Sequence, residues 1–229
     1  MSSADRQLLL AGRRLYLCTA DREDLEGFLR ACIEGGVDVV QLRDKHLADA
    51  DLLARARVAQ RVCADLGVPF ILNDRPDLAA ELGADGVHVG QGDMAAARAR
   101  DLVGADKIVG LSTHAPDQLE TALSEPVDYI SAGPVVPTPT KPGRPGTGLG
   151  YVNEVARRTA ESVPPMPFFV TGNARPETVG AMVEAGATRF VVVRWLTETH
   201  DPARNARRLV DSIERARERL VPTDRPHVT

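Results

Sequence analysis

Eight short apolar runs recur along the chain, and most of them end at a small or polar residue. They are RLYLCT (14–19), GVDVVQL (36–42), VPFILND (68–74), GADGVHV (83–89), KIVGLST (107–113), PVDYISA (126–132), MPFFVTG (166–172) and GATRFVVV (186–193). Most runs are continuously apolar rather than alternating, which is typical of parallel strands buried on both faces. The pattern therefore predicts eight parallel β-strands.

Helical patterns fill the intervals between these runs. In residues 52–67 the apolar positions recur every three or four residues, at Leu52, Ala56, Ala59, Val62, Cys63 and Leu66. RPD (75–77), APD (115–117) and RPE (175–177) each combine a proline, which suits the first position of a helix, with an acid that complements the helix dipole.

Eight strand–helix units in a chain of this length predict an α/β fold, a single (β/α)₈ TIM barrel, because a doubly wound sheet usually has fewer strands. We expect residues 1–229 to form one domain, with the barrel at about 14–218, a short N-terminal extension and a frayed C-terminal tail.

Composition and charge narrow the class of protein. Hydrophobic residues make up 43% of the chain and charged residues 26%, as in ordinary globular proteins. A net charge of -4 provides no basic field for nucleic acid or anionic lipid, so we expect neither as a partner. The apolar run at 8–11 is too short for a signal peptide or a membrane span, which favours a cytoplasmic location.

The three cysteines, Cys18, Cys32 and Cys63, form no CxxC pair and no metal-ligand spacing. Their odd number argues against a disulfide framework and for a reducing compartment, so we expect them to pack as small apolar groups. A homo-oligomer is compatible with these observations, which do not determine the oligomeric state.

Active sites of TIM barrels lie where the strands end and the following loops begin. Here those positions carry Gln41, Arg43 and Lys45 after the second strand, Asn73 and Asp74 after the third, Asp93 after the fourth, Ser112 to His114 after the fifth, Thr138, Thr140 and Lys141 after the sixth, Thr171 to Asn173 after the seventh, and Val193 and Arg194 after the eighth. Gln41, Arg43 and Lys45 occupy alternate positions, so an extended segment points them the same way.

These residue types favour a particular chemistry. Asp74 and Asp93, with Asn73 beside them, are hard oxygen ligands that suit Mg²⁺, which completes its coordination shell with water and substrate phosphate. Arg43, Lys45 and Lys141 are cations that can hold a polyanion, and together with the metal they indicate a diphosphate. The Gly172 turn and the loop after the eighth strand lie where barrels often bind a monophosphate.

Simpler interpretations remain for each residue alone. Asp74 and Asp93 could be helix caps, and Arg43 and Lys45 could be solvated surface charges. His88 lies inside a strand and is expected to be a hydrogen-bonded interior residue, whereas His46, His200 and His227 are expected at the surface; His114 suits either role. The joint occurrence of the polar residues at strand ends favours the functional interpretation.

Six motifs together resemble one family. QLRDK, ILNDRPDLA, GADGVHVGQGD, GLSTH, GPVVPTPTKPG and EAGA followed by FVVV occur in this order over about residues 14–196, and the chain is similar through them to the thiamine phosphate synthases. The resemblance implies a magnesium-dependent transferase. It would join 4-amino-5-hydroxymethyl-2-methylpyrimidine diphosphate to a thiazole phosphate, giving thiamine phosphate and pyrophosphate by dissociative departure of the diphosphate.

The resemblance also implies residue roles. The pyrimidine diphosphate would be contacted by Gln41, Leu42, Arg43, Asp44, Lys45 and Asn73, and Mg²⁺ by Asp74 and Asp93. Departure of the diphosphate would be assisted by Arg43, Lys45, Ser112 and Lys141. The thiazole phosphate would be bound by Thr138, Pro139, Thr140, Gly172, Val193 and Arg194.

Two places depart from the family pattern. The seventh strand ends in TGNA, with Asn173 where a second glycine is common, and the eighth is followed by Arg194 and Trp195 where serine and alanine are common. The rival hypotheses are a thiazole tautomerase, which lacks the full metal and diphosphate set, and a non-catalytic phosphate-binding barrel. The carboxylation state of the thiazole substrate stays open.

Residues 133–148, GPVVPTPTKPGRPGTG, contain five prolines between the sixth strand and the next helix. Proline limits the entropy lost when a loop is held around a ligand. Because one barrel surrounds this stretch, it is predicted to be an active-site lid rather than a linker, with residues 143–148 mobile until substrate binds.

Overall fold

The computed structural model describes residues 1–139, 143 and 145–220, and these form a closed barrel of parallel strands. The strands are β1 Leu15–Thr19, β2 Val39–Leu42, β3 Phe70–Asn73, β4 Gly86–Val89, β5 Ile108–Thr113, β6 Tyr129–Ala132, β7 Phe168–Val170 and β8 Phe190–Val192. Each pairs with its neighbours in sequence, and β8 closes on β1 with Leu15 opposite Phe190. The predicted (β/α)₈ barrel is confirmed.

Helices connect the strands of the barrel, and further helices precede the first strand and follow the last. They are α1 Ser3–Ala11, α2 Leu25–Glu34, α3 Asp49–Asp65, α4 Pro76–Leu82, α5 Ala96–Val103, α6 Pro116–Ser124, α7 Gly148–Ala160, α8 Val179–Glu184, α9 Arg194–Thr197 and α10 Pro202–Glu218. Among the helices of the described residues, none is long and apolar enough to cross a membrane.

Proline begins α4 and α6 as predicted, but the third prediction of this kind is wrong. Helix α8 begins at Val179, and Pro176 lies in the turn before it. In that turn the Thr178 hydroxyl donates to the Asn173 carbonyl at 2.6 Å and accepts from the Arg175 N–H at 3.2 Å. The Thr178 hydroxyl thus provides hydrogen-bond partners for the backbone of Asn173 and Arg175. Because such local bonds compete with helix formation, the helix begins only after them.

The core has two layers, one between the strands and the helices and one inside the barrel. The inner layer consists of Leu10, Tyr16, Val39, Ile71, Ile108, Tyr129 and Phe169. The ring of Phe169 meets those of Tyr16 and Tyr129 edge-on, with centroids 5.2 and 5.4 Å apart. The barrel interior below the strand ends is therefore packed and not a channel.

Three of the eight runs begin with a similar tripeptide, GVD, GAD or PVD, and its aspartate has the same role each time. Asp38, Asp85 and Asp128 precede β2, β4 and β6, and each accepts backbone N–H groups from the start of the preceding strand. Asp38 accepts from Arg14 and Leu15 at 2.7 and 2.9 Å, Asp85 from Phe70 at 2.8 Å, and Asp128 from Val109 at 2.9 Å. The repeated acid thus satisfies donors at the amino end of the barrel.

The N-terminal segment, which the sequence marks only as an extension, folds as α1 against this amino end. Its Leu10 is fully buried in the inner layer. The Nε of Arg6 donates to Asp128 at 2.9 Å, and the Arg100 guanidinium donates to the same carboxylate at 2.6 Å. Helix α1 therefore covers the bottom of the barrel, opposite the strand ends where the predicted site lies.

Candidate active site

A cavity of about 640 Å³ opens at the carboxyl ends of the strands. The predicted residues that line it are Gln41, Arg43, Lys45, Asn73, Asp74, Asp93, Ser112, Thr138, Gly172, Val193 and Arg194. The strands bring them together because inward-facing positions at the ends of adjacent parallel strands converge on one opening.

Other predicted positions lie elsewhere. Leu42 is buried in the layer between strands and helices, and the Asp44 carboxylate accepts the N–H groups of Asp21, His46 and Leu47. Neither residue belongs to the lining of the cavity. Pro139 lies outside the lining that the described residues give this cavity, and Thr140 and Lys141 lie outside the described residues.

An acidic pair lies at one side of the opening. The carboxyl groups of Asp74 and Asp93 are close enough to influence each other's pKa, and the Lys45 ammonium contacts the Asp74 carboxylate at 2.8 Å. The Gly90 N–H holds the Asp93 carboxylate at 2.9 Å. Asp74 has a left-handed backbone, with φ of 61°, which non-glycine residues adopt at a cost and often at functional sites.

The two carboxyl groups have opposite pKa shifts. Burial and the neighbouring Asp93 raise the pKa of Asp74, although the Lys45 contact opposes the shift. Partial burial acts to raise the pKa of Asp93 too, but the hydrogen bonds from Asp74 and Gly90 outweigh it and the net direction is downward. A pair in which one carboxyl resists ionisation because the other is charged is stabilised by a bound cation.

The helix-cap interpretation of these aspartates is wrong. Helix α4 has Arg75 at its N-cap and α5 has Ala95, and neither cap has a side-chain hydrogen bond. Asp74 and Asp93 instead face the cavity and each other.

The acidic pair fits a divalent cation. No group of three or more metal-binding His, Cys, Asp or Glu side chains occurs in the described part of the chain. Two carboxylates without a larger cage suit Mg²⁺, which keeps several water or phosphate ligands. Lys45 and Arg43 on the same side provide positive charge for those phosphates.

Below the acidic pair, a hydrogen-bonded chain forms the floor of the cavity. Gln41 Nε2 donates to the Tyr16 hydroxyl at 2.8 Å, and the hydroxyls of Tyr16 and Tyr129 lie 2.9 Å apart. The His88 ring contacts Tyr129 through Nδ1 and Ser112 Oγ through Nε2, both at 2.9 Å. The prediction of His88 as a hydrogen-bonded interior residue is confirmed.

The two tyrosines of this hydrogen-bonded chain, Tyr16 and Tyr129, are not among the residues predicted for the site. Tyr16 lies two positions before Cys18 on β1, and Tyr129 two before Ser131 on β6, so both share the inward face with residues that line the cavity. This two-residue alternation was the available signal. The alternation cannot be recognised in the sequence alone, because both strands are buried on both faces and carry mostly apolar residues.

The loops after β6 and β7 fit closely together on the other side of the opening. The Val135 N–H donates to the Thr171 carbonyl at 2.8 Å. Gly172 has φ of 107°, and a Cβ on it would lie 2.3 Å from the Val135 nitrogen, so only glycine fits there. Asn173 follows with φ of 67°, a conformation that asparagine tolerates better than most residues.

Residues after β8 extend the cavity beyond the predicted set. Trp195, Glu198, Thr199 and Asn205 belong to its lining. The Trp195 indole donates to the Asn205 carbonyl at 3.1 Å, and the Asn205 amide donates back to the Trp195 carbonyl at 3.0 Å. The departure at Arg194 and Trp195 therefore joins the start of α9 to α10 at the rim.

The arrangement combines two chemical environments. One side, with the acidic pair, Arg43, Lys45 and the Ser112 hydroxyl, suits a metal-bound polyanion. The floor, with tyrosine hydroxyls, an amide and an imidazole, suits a flat polar heterocycle.

Comparisons with known proteins all indicate the same family. The family described as thiamine monophosphate synthase matches residues 15–196. A thiamine-phosphate synthase of Thermus thermophilus is 47% identical over 201 residues, covering 86% of this chain and 95% of that protein. The Acidothermus cellulolyticus thiamine-phosphate synthase is 43% identical, covering 86% and 93%.

Longer relatives also exist. The thiamine-phosphate synthase of Nostoc punctiforme is 39% identical over 94% of this chain, but the chain spans only 60% of its length. Among solved structures, thiamine phosphate pyrophosphorylase from Pyrococcus furiosus superposes with a TM-score of 0.79, covering 92% of this chain and 98% of that one; at 22% identity this shows the common barrel fold. On the family match and these identities, the chain belongs to the thiamine monophosphate synthase family.

Proposed function

We propose that the protein is a thiamine phosphate synthase, a transferase that couples 4-amino-5-hydroxymethyl-2-methylpyrimidine diphosphate to a thiazole phosphate and releases pyrophosphate. The observation that supports this most strongly is the Asp74–Asp93 pair with Lys45, facing the same cavity as Arg43 and Ser112. A thiazole tautomerase or a passive phosphate-binding barrel would not need this set of charges.

In this proposal Asp74 and Asp93 hold Mg²⁺, and Arg43 and Lys45 hold the diphosphate oxygens. The metal, when bound, supplies charge neutralisation to the departing diphosphate. Gln41 and Asn73 orient the pyrimidine, while Ser112 donates a hydrogen bond on the diphosphate side. Thr138, Gly172, Val193 and Arg194 bind the thiazole phosphate.

The bond changes require no protein nucleophile. The C–O bond between the pyrimidine methylene and the diphosphate breaks, and its electron pair leaves with pyrophosphate. The electron-rich aminopyrimidine stabilises the resulting cation, and the lone pair of the thiazole nitrogen forms the new C–N bond. The chain's contribution is to position both substrates, exclude water and stabilise the leaving charge.

Asp93→Ala tests the proposal. With both substrates and Mg²⁺, we expect the variant to release pyrophosphate at least about a hundredfold more slowly than the unchanged protein, because it loses a metal ligand and half of the carboxylate pair. The matched control is Asp101→Ala, which removes an exposed aspartate from the following helix α5 and should leave the rate unchanged. A coupled assay for pyrophosphate measures both rates. Equal rates for the two variants would contradict the proposed role of the acidic pair.

A further inference from the structure

A continuous chain of side-chain hydrogen bonds crosses the barrel beneath the cavity. It runs from Gln41 to Tyr16, then to Tyr129 and His88, and ends at Ser112. Its contacts are all between 2.8 and 2.9 Å. Each member comes from a different strand, and only closure of the barrel brings β1 and β6 close enough to complete the chain.

The first contacts in the chain have a fixed direction. The Cys18 thiol, 3.2 Å from Gln41 Oε1, donates to that oxygen, and the amide nitrogen donates to Tyr16. A tyrosine hydroxyl has one proton. Because the Tyr16 oxygen faces an N–H on one side, its own proton is directed to Tyr129.

The remaining protons of the hydrogen-bonded chain can be assigned in the same way. Tyr129 accepts from Tyr16, so its single proton is directed to His88 Nδ1. His88 then carries a proton on Nε2 and donates it to Ser112 Oγ. A His88 protonated on Nδ1 would reverse both tyrosines, and the Tyr16 proton would then face the Gln41 N–H, leaving two donors opposed.

Burial keeps the two tyrosines protonated. Desolvation raises the pKa of both Tyr16 and Tyr129 far above physiological values. The fold also makes room for the second ring: a Cβ on Gly110 would lie 2.1 Å from Cζ of Tyr129, so the absence of a side chain on β5 lets this ring lie beside it. Protonation of both hydroxyls supports the proton count, and the packing fixes the position of the Tyr129 ring.

We propose that Tyr16, Tyr129 and His88 are positioning residues that fix the Ser112 hydroxyl as a hydrogen-bond donor into the cavity. Within the described residues, Ser112 Oγ shares a hydrogen bond with His88 Nε2. When that oxygen accepts from His88, its proton is directed to a ligand oxygen. The identity of that ligand as the departing diphosphate rests on the proposed function, but the direction of the chain does not.

Nitrogen NMR on the ligand-free protein tests the direction without any assay of activity. With ¹⁵N-labelled histidine rings, and His88→Gln to assign the signal among the five histidines, we expect His88 to be neutral and protonated on Nε2. Tyr129→Phe removes the donor to Nδ1, so the Nδ1 resonance should move toward that of an imidazole nitrogen that accepts no hydrogen bond, while the proton stays on Nε2. A proton on Nδ1 in the unchanged protein, or an Nδ1 resonance that does not move in Tyr129→Phe, would overturn the proposal.

A double-mutant cycle tests whether the tyrosines act through Ser112. Tyr129→Phe should lower kcat about tenfold with a smaller change in KM, and Tyr16→Phe should have a weaker effect because Tyr129 can still donate to His88. The double variant Tyr129→Phe with Ser112→Ala should be no slower than Ser112→Ala alone.

Tyr151→Phe is the matched control for the cycle. It removes another largely buried hydroxyl, which donates to the Ala115 carbonyl at 3.1 Å outside the barrel. In the double variant with Ser112→Ala, the factors by which Tyr151→Phe and Ser112→Ala each lower kcat should multiply, because the two sites are independent. If Tyr129→Phe also multiplied with Ser112→Ala, the tyrosine would not act through the serine. If the protein released no pyrophosphate at all, the proposed function would fail, while the NMR result would still decide the direction of the chain.

Discussion

Asp128 is a fully buried carboxylate whose charge is balanced by two arginines. It accepts hydrogen bonds from Arg6 at 2.9 Å and Arg100 at 2.6 Å, as well as from the Val109 N–H. Removing one partner of a buried ion pair leaves the other charge uncompensated. Asp128 therefore stabilises the amino end of the barrel in a way that an apolar residue of the same size could not, as long as both arginines remain.

We predict that Asp128→Ala lowers the free energy of unfolding by about 3–5 kcal/mol, because Arg6 would stay buried without its carboxylate. Chemical denaturation measures the change. Asp106→Ala is a suitable control, since its exposed carboxylate also pairs with the N-terminal segment, through the terminal amine, and should matter little. Equal stability of the two variants would contradict this account of Asp128.

Single residues of the site were predictable where chemistry and strand position coincided. Asp74, Asp93, Arg43 and Lys45 are charged residues next to apolar runs, so their position at the strand ends follows once the runs are recognised as barrel strands. Tyr16 and Tyr129 were not predictable in the same way, because inside a buried run a tyrosine is also an ordinary core residue. Their hydroxyls contact each other only because β1 and β6 face each other across the closed barrel.

Helix α1 shows how a short element can close a much larger one. Its Leu10 reaches the inner layer of the barrel, while Leu8 on the same helix is 75% exposed. The sequence alone does not predict this helix or its packing, because the apolar run at 8–11 is short. Its contacts are also distant: Arg6 and Asp128 are separated by 122 residues. A local pattern cannot reveal such a contact.

Leu10→Ala should lower the free energy of unfolding by about 2–5 kcal/mol, because it leaves a cavity in the inner layer of the barrel. Leu8→Ala, on the same helix but at an exposed position, should change it by much less. Thermal or urea denaturation of the two variants provides the comparison. If both substitutions had the same small effect, α1 would not be part of the barrel core.

The strands were predicted more accurately than the start of α8. Continuous apolar runs define a strand on their own, and all eight candidate runs contain one. A proline followed by an acid allows a helix to begin but does not force it. After Pro176 the hydroxyl of Thr178 bonds the turn instead, and Asn173, which accepts one of these bonds, has a left-handed conformation that a local sequence pattern does not predict.

The two ends of the barrel have different roles: the amino end stabilises the fold, and the carboxyl end holds the candidate active site. At its amino end, α1 and the repeated aspartates satisfy backbone groups and close the core. At its carboxyl end, charged and polar side chains from different strands converge on the cavity. The molecule has a net charge of -4, yet Arg43, Lys45 and Arg194 line the opening and provide cations for phosphorylated ligands.

The stoichiometry of the reaction is the decisive measurement. The purified protein is given the pyrimidine diphosphate, the thiazole phosphate and Mg²⁺, and both products are quantified in the same sample. We predict one pyrophosphate for each thiamine phosphate formed, with neither product after chelation of the metal. No pyrophosphate in the presence of both substrates and Mg²⁺, together with interconversion of thiazole isomers, would contradict the proposed coupling and identify the protein as an isomerase.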